Sequence, residues 1–388
     1  MTISLKNLLW IGFFLRLGIA WFLLNSGFYL AFTGDIENFH QTARETLGLG
    51  AAVNPLIAEE FTIDDAYSYF ISLIYMLTTD SMYLTSILSC FVWFFSGYFF
   101  IKIMDVLELN KRKQKIIFLI YIFLPSSLLN TGVPLRESYE LLAVNLSIYS
   151  SLQWYFQRNL KYLFVLCTGI LLMGLMHIAM LAFGVILFIF TLILISSRED
   201  KGRYFFLLPT SLLVLLPIFG FNYISQYLDY FGGQGLEGAG EELADAVRLF
   251  QVGSIIDSGG SRAQYADLKL EIEGVSGLLF FLPAALFQYL FEPMPWRNLS
   301  LVDYILVLEN MMRAVFIFFA VRGLFVLPSK SNEKKIIFFL LVCFFSTELI
   351  WAVGTTNWGT ASRHHVPSLG ILLLLGLAFQ QYYKKIKT

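Results

Sequence analysis

Long apolar stretches recur along the whole chain, and they limit its fold more than any other feature of the sequence. A helix needs about 20 mostly apolar residues to cross the roughly 30 Å of hydrocarbon in a bilayer. Ten stretches approach or reach this length, and we predict a transmembrane helix in each: 8–32, 82–104, 114–131, 137–157, 161–177, 179–197, 203–222, 300–327, 335–353 and 366–383. The expected fold is therefore an all-α, polytopic integral membrane protein with about ten transmembrane helices.

The composition agrees with a protein that lies in lipid. Of the 388 residues, 57% are hydrophobic and only 14% are charged, whereas a soluble domain of this length needs more charge to cover its surface. The formal net charge of -1 argues against a general affinity for nucleic acid. The three cysteines each lie inside an apolar run without a motif, so they indicate neither a disulfide framework nor a metal site.

The N-terminal stretch MTISLKNLLWIGFFLRLGIAWFLLNSGFYLAF shares one property with secretory signal peptides, a basic residue before an apolar run. The run is too long for a signal peptide, contains Arg16 and is not followed by a small-residue cleavage site. We therefore interpret it as a retained first membrane helix.

Basic residues occur in alternate connections between the predicted spans, and this pattern predicts the orientation. Short cytoplasmic connections carry an excess of Lys and Arg. The basic positions are Lys6, Lys111, Arg112, Lys113, Lys115, Arg158, Lys161, Arg198, Lys201, Arg203, Lys330, Lys334, Lys335, Lys384, Lys385 and Lys387. We predict that these connections and both termini are cytoplasmic.

The long connections then fall on the outer side. Residues 33–81 form a first outer loop, in which FTGDIENFHQTARETLG is predicted to be an amphipathic helix. Residues 223–299 form a large outer loop with a predicted helix around 239–251 and the segment VSGLLFFLPAALFQYLFEPMPWR. That segment is short and interrupted by proline, so we expect it to be interfacial or re-entrant. No internal repeat is visible, and 1–388 is treated as a single transmembrane domain.

The unusual polar residues of the chain also fall on this predicted outer side. Ionisable residues at membrane depth usually face a cavity, a partner or a pathway, and Arg is suited to bidentate binding of phosphate. The candidates for binding a substrate phosphate are Arg136, Glu137, His177, Arg262, Arg297, Arg363 and His364. Asp35, with Glu37 as the alternative, is the candidate general base for an incoming hydroxyl group.

Several of these residues also have a purely structural interpretation. Arg136 and Glu140 stand four residues apart and can form an ion pair within one helix, and Arg363 can anchor a helix end at the lipid headgroups. Glu309 and Arg313, deep in the eighth span, are expected to pair with each other. The spacing of Asp35, Glu37 and His40 is weak evidence for metal ligands, so we predict no metal site. His365 is expected to face away from His364.

Four segments together resemble a known class of membrane protein. They are FTGDIENFHQTA after the first span, LPSSLLNTGVPLRES before the fourth, FEPMPW, and GTASRHH before the last. Their layout resembles the multispanning proteins of bacterial surface-polysaccharide clusters, which are related to GT-C glycosyltransferases and oligosaccharide repeat-unit polymerases.

The resemblance implies a GT-C-like enzyme of the bacterial cytoplasmic membrane. Its donor would be a sugar or oligosaccharide on a polyprenyl phosphate or diphosphate, its acceptor a glycan, and its partners other polysaccharide-assembly proteins. No cofactor is implied. The catalytic carboxylate of that class lies in the first outer loop, and here the choice between Asp35 and Glu37 stays open because the two acids are separated in DIE.

Two other classes of function are compatible with the sequence. A lipid-linked oligosaccharide flippase or transporter would need polar residues at mid-membrane and broken helices, and Glu309 with Arg313 is the deep candidate for it. An O-acyltransferase would need a catalytic histidine at the membrane, for which His177 and His364 are candidates. The clustering of charge on one side favours the glycosyl-transferring enzyme.

Overall fold

A computed structural model describes residues 3–27, 35–48, 66–197, 263–265, 274–297, 299–329 and 331–377. These residues are largely helical, and their one β-bridge joins Gln264 to Asn357. Numbered through the described residues, the helices are α1 (Leu5–Ser26), α2 (Asp35–Gly48), α3 (Ala66–Leu77), α4 (Met82–Val106), α5 (Lys111–Phe123), α6 (Pro125–Asn130), α7 (Glu137–Gln157), α8 (Lys161–Met176), α9 (Ile178–Ser196), α10 (Gly274–Phe291), α11 (Leu301–Val326), α12 (Asn332–Gly354), α13 (Trp358–His364) and α14 (Leu369–Leu377).

Among the described residues, five helical segments are long and apolar enough to cross a membrane. They are Leu5–Ser26, Met82–Val106, Ala179–Ser196, Leu301–Val326 and Asn332–Gly354. Because a helix rises about 1.5 Å per residue, even an 18-residue segment is about 27 Å long, close to the thickness of the hydrocarbon. The chain is therefore an α-helical membrane protein, as the sequence predicts. The predicted span at 203–222 lies outside the described residues.

Polar residues begin several of these apolar helices. The Ser4 hydroxyl accepts a hydrogen bond from the Asn7 backbone N–H at the start of α1. The Ser331 hydroxyl does the same for the Lys334 N–H at the start of α12. Such caps satisfy backbone donors that have no partner within the helix, so they fix where each apolar run becomes helical.

The predicted span at 114–131 is divided between α5 and α6, because Pro125 interrupts it. Proline has no N–H to donate and forces the preceding residue out of the α region, and Leu124 is accordingly extended. Two backbone groups beside the break have partners on other helices. The Ser126 N–H donates to Glu309 Oε1 at 2.9 Å, and the Ile122 carbonyl accepts from Arg16 Nη1 at 3.3 Å.

Arg16 is fully buried at this break and is held by neutral groups. Its Nε donates to Thr131 Oγ1 at 2.7 Å, and its guanidinium lies 3.5 Å from the centroid of the Trp93 ring. Arg16 thus neither snorkels to the membrane surface nor pairs with a carboxylate in the part of the chain that the structure describes.

The expected pairing of Glu309 with Arg313 is wrong. Glu309 accepts from Ser126, whereas Arg313 Nη1 donates to the Leu290 carbonyl at 2.9 Å and to Asn310 Oδ1. The helix break exposes a backbone N–H that binds Glu309, and the end of α10 exposes a backbone carbonyl that binds Arg313. The two charged side chains therefore have separate backbone partners.

The segment predicted to be the first outer loop contains a second helix in addition to the predicted amphipathic one. α2 matches the predicted amphipathic helix. It packs on α3, a helix that was not predicted from the sequence. Tyr67, Ile71 and Tyr75 of α3 are buried together with Ala43 of α2 and Met176 at the end of α8. These contacts hold the two helices against the end of the bundle where α7 begins and α8 ends.

The segment expected to be broken by proline is a single helix, α10. It continues through Pro283 to Phe291 and packs mainly on α12. Of the rest of the predicted large outer loop, the structure describes 263–265, 292–297 and 299. The predicted helix around 239–251 lies outside the described residues.

The basic connections meet at the opposite end of the bundle from α2. Lys335 at the start of α12 donates to the Ser197 carbonyl at the end of α9, at 2.7 Å. Tyr155 near the end of α7 donates to Asn332 Oδ1 at 2.8 Å, and Lys113 donates to the Leu377 carbonyl at 3.2 Å. The described basic connections therefore share one end of the molecule, which we call the basic end.

Candidate functional site

Charged residues from three distant parts of the chain meet at the end of the bundle opposite the basic end. Arg363 Nη1 lies 2.5 Å from Asp35 Oδ2, and Arg363 Nε donates to Glu137 Oε1 at 2.8 Å. Arg363 and Glu137 are buried, whereas the Asp35 side chain is 47% exposed. Three residues predicted for the site are thus joined through one guanidinium.

Helix ends place these side chains. Asp35 and Glu137 are the first residues of α2 and α7, and Arg363 lies in the last turn of α13. Acidic side chains are favoured at helix N-termini and basic ones at C-termini, because each opposes the helix dipole. The charges at the three ends therefore attract one another and also suit their own helices.

The short helix α13 is fixed at its start. The Asn357 side chain accepts a hydrogen bond from the Thr360 N–H at 2.8 Å, and the indole N–H of Trp358 donates to Asp303 Oδ1 of α11 at 2.9 Å. These contacts set the direction of α13 and so carry Arg363 toward Asp35 and Glu137.

Arg136 and Glu140 complete the group of charges. The Arg136 Nε atom is 3.7 Å from Glu140 Oε1, which confirms the proximity predicted from their i, i+4 spacing. The Arg136 guanidinium also lies over the Phe39 ring of α2, 5.7 Å from its centroid. We call Asp35, Arg136, Glu137, Glu140 and Arg363 the charged cluster.

Carboxylates outnumber guanidinium groups in the charged cluster. Burial alone lowers the pKa of Arg363, but Glu137 and Asp35 outweigh that effect and raise the pKa above its ordinary value. Arg363 therefore stays positively charged, and its charge is already matched by two carboxylates. A phosphate would therefore have to exchange with one of these two carboxylates to reach Arg363.

His177 and His364 both contact the Trp351 ring. Trp351 stacks on His364 with 3.7 Å between centroids and meets His177 edge to face at 4.7 Å. Burial, followed by the positive charges of Arg363 and Arg136, lowers the pKa of His364 well below its ordinary value. Burial and Arg136 do the same to the pKa of His177. Both imidazoles are therefore neutral at pH 7 and add no positive charge to the site region.

His365 is buried beside the site region and has polar partners on two other helices. Its Nδ1 is 2.6 Å from Glu348 Oε2, and its Nε2 is 3.1 Å from the Tyr289 carbonyl oxygen. Ser368 donates to the other oxygen of Glu348.

The sequence predicts only that His365 faces away from His364; in the structure the two rings contact different residues of α12, His365 at Glu348 and His364 at Trp351. The buried partner of His365 was not predicted. The one signal for it was Glu348, a carboxylate close to the end of an apolar span.

The other predicted site residues are not joined to the charged cluster. Glu37 is exposed on α2, one residue beyond the buried Ile36. Arg297 forms two hydrogen bonds with Glu292, at 2.9 and 3.3 Å. Arg262 lies outside the described residues. Of the two candidate bases, only Asp35 contacts Arg363.

Within the described ranges, no group of three or more His, Cys, Asp or Glu side chains is placed to hold a metal ion. Comparison with known proteins adds no further assignment: no protein-family model, no curated protein and no solved structure matches the chain. What the chain does must therefore be inferred from the chemistry of its own residues, above all from the contacts of Asp35, Glu137 and Arg363.

Proposed function

We propose that this protein is a membrane glycosyltransferase or polysaccharide polymerase of the bacterial cytoplasmic membrane. It transfers a sugar or oligosaccharide from a polyprenyl phosphate or diphosphate carrier to a glycan acceptor on the outer face. The observation that carries the proposal is the contact of Arg363 with both Asp35 and Glu137 at one end of the bundle. A strong phosphate ligand thus lies beside an accessible carboxylate, the two groups that such a transfer needs.

In the proposed reaction, Arg363 exchanges its partner Asp35 for the phosphate of the carrier. The phosphate of the carrier competes with Asp35 for Arg363, because guanidinium binds phosphate and carboxylate oxygens in the same bidentate manner. Release from Arg363 leaves the half-exposed Asp35 carboxylate without its ion-pair partner and open to the acceptor hydroxyl. It can then accept the proton of the acceptor hydroxyl.

The proposed orientation places this site outside the cell. In this arrangement the basic end is cytoplasmic, as the positive-inside rule requires. About ten spans cross the membrane, both termini are inside, and α10 lies at the outer interface or re-enters from it. The carrier lipid then reaches the charged cluster from the outer leaflet, where other proteins of polysaccharide assembly deliver or remove the glycan.

Complementation of a gene deletion tests the proposal. We expect Asp35→Asn and Arg363→Ala to abolish the surface polysaccharide and to leave short lipid-linked units in the membrane, at normal protein levels. Glu37→Gln is the matched control, since it removes an exposed carboxylate two residues from Asp35 on the same helix, and it should restore wild-type glycan. Surface glycan that is unchanged in the deletion strain itself would contradict the proposal.

A lipid-linked oligosaccharide flippase or transporter is the second candidate. The break between α5 and α6, with Arg16 and Glu309 bound to its backbone groups, favours it, because broken helices and buried charges are common at transport sites. The two functions differ in where the lipid-linked units accumulate after deletion. In spheroplasts, a membrane-impermeant glycosidase should reach them if the enzyme is lost and should fail to reach them if a flippase is lost.

A further inference from the structure

Glu140 is a buried carboxylate that no hydrogen-bond donor of the described residues reaches. Its side chain is 1% exposed, and neither of its oxygen atoms has a hydrogen-bond partner in the described structure. Its shortest ionic contact, with Arg136 Nε, is 3.7 Å long and thus beyond hydrogen-bonding distance. Glu137, three residues earlier and equally buried, instead accepts a 2.8 Å hydrogen bond from Arg363. Two neighbouring carboxylates on one helix therefore have very different surroundings.

The charges that face Glu140 do not compensate its negative charge. Arg136 and Arg363 are positive, and Glu137 is negative; Tyr289 of α10 faces it as a neutral hydroxyl. Arg363 is already bonded to Asp35 and Glu137, while Arg136 is partly exposed and lies over Phe39. His177 and His364, beside the same arginines, are neutral. Three carboxylates thus share two guanidinium groups, and one proton balances the cluster.

The proton belongs on Glu140 for a physical reason. A buried carboxylate is stable only when it is paired and hydrogen-bonded, and otherwise it takes up a proton. Among the three acids, Asp35 is half exposed and bonded to Arg363, and Glu137 is bonded to Arg363. Glu137 is also buried and its second oxygen has no partner, but its first oxygen is bonded to Arg363. Among these three acids, Glu140 is therefore the one that has neither solvent exposure nor a hydrogen-bond donor from the described residues.

We propose that Glu140 carries a proton at neutral pH and is a further catalytic residue, the acid of the proposed glycosyl transfer, and this role rests on that proposed function. The acceptor oxygen bonds to the anomeric carbon while the bond from that carbon to the carrier's phosphate oxygen breaks. The acceptor's proton passes to Asp35, and the proton of Glu140 passes to the departing phosphate oxygen. Asp35 then releases its proton to water, and Glu140 takes one up again. Two carboxyl groups with opposite protonation states are the usual arrangement for paired acid and base catalysis.

The protonation state can be tested without substrate. A hydrophobic carbodiimide, dicyclohexylcarbodiimide, reacts with protonated carboxyl groups, so the purified wild-type protein in detergent is treated with it and the peptide containing residues 137–157 is sequenced by mass spectrometry. We expect label on Glu140 and not on Glu137, and less label as the pH is raised. Label on both residues alike, or on Glu137 alone, would overturn the proposal.

Infrared spectroscopy provides a second measurement that does not depend on access of a reagent. The C=O stretch of a protonated carboxyl group should be present in the wild-type spectrum and missing from that of Glu140→Gln. It should persist in Glu45→Gln, which removes an exposed acid of α2. Identical spectra for wild type and Glu140→Gln, together with an absence of label, would show that Glu140 is ionised.

The catalytic role is tested separately by transfer in the purified system, with extracted lipid-linked glycan as the probe. We expect Glu140→Gln to reduce turnover at least tenfold, and Glu140→Asp to recover part of it. Wild-type turnover should fall as the pH rises and Glu140 loses its proton. The Glu140→Gln variant should lack this fall. A protonated Glu140 with an unchanged rate in Glu140→Gln would overturn the acid role alone, whereas no transfer by the wild type would overturn the proposed function.

Discussion

At the scale of single residues, the site region contains a charged arginine beside two neutral histidines. Arg363 keeps its charge because two carboxylates contact it. His177 and His364 are neutral because burial and nearby arginines lower their pKa values. The same neighbourhood therefore stabilises one cation and excludes protons from two imidazoles.

The neutral histidines predict a pH dependence of stability. Their pKa values are lowered in the folded protein, so below about pH 6.5, the ordinary histidine pKa, the unfolded chain binds protons that the folded protein excludes. Stability should therefore fall as the pH is lowered from about 6.5, by up to about 1.4 kcal/mol per pH unit for each histidine. Unfolding midpoints in detergent across this range measure it. His364→Gln should flatten the curve; an unchanged slope would show that His364 titrates normally.

At the scale of elements, the break between α5 and α6 depends on side chains from two other helices. Pro125 frees the Ser126 N–H and the Ile122 carbonyl, which Glu309 of α11 and Arg16 of α1 bind. An unpaired buried backbone group costs about 1–3 kcal/mol. The break therefore links three helices that are distant in sequence.

Two substitutions of Glu309 separate its hydrogen bond from its charge. Glu309→Gln keeps a carbonyl oxygen for the Ser126 N–H, whereas Glu309→Met leaves that N–H without a partner. We expect Glu309→Met to lower the free energy of unfolding by about 1–3 kcal/mol and Glu309→Gln to lower it by much less, measured by chemical unfolding in detergent. Equal losses in both variants would mean that the charge, not the acceptor, is required there.

At the scale of the whole molecule, the two ends of the bundle differ in chemistry. The basic end joins Lys335 to Ser197 and Lys113 to Leu377. The other end contains the charged cluster, the His177 turn and the packed helices α2 and α3. The described bundle is therefore basic at one end and carries both acidic and basic side chains at the other.

Cysteine labelling checks the proposed orientation. In a variant whose three native cysteines are replaced, Glu45→Cys on α2 and Arg112→Cys at the start of α5 give single exposed thiols at the two ends. A membrane-impermeant maleimide should label Glu45→Cys in intact cells and Arg112→Cys only after permeabilisation. The reverse pattern would place the charged cluster in the cytoplasm and exclude a transfer on the outer face.

Much of the fold could be predicted because hydrophobicity and helix length are local properties. The described helices follow most of the predicted spans, and the amphipathic α2 begins at the predicted acids. The division of 114–131 was also encoded locally in Pro125. The missed helix α3 lacks a comparable signal, since its stability comes from packing Tyr67 and Tyr75 against α2 and α8.

The sequence by itself determined that the chain lies in a membrane as helices, and it indicated which residues had unusual polar positions. Only the tertiary structure decided which of them meet, because an apolar helix can turn any face to its neighbours without changing its hydropathy. The packing of α13 and α7 brings Arg363 to Asp35 and Glu137, leaves Glu37 exposed and pairs Arg297 with Glu292. It also leaves Glu140 buried without a hydrogen-bond donor among the described residues, and this result of three-dimensional contacts cannot be read from spacing in the sequence.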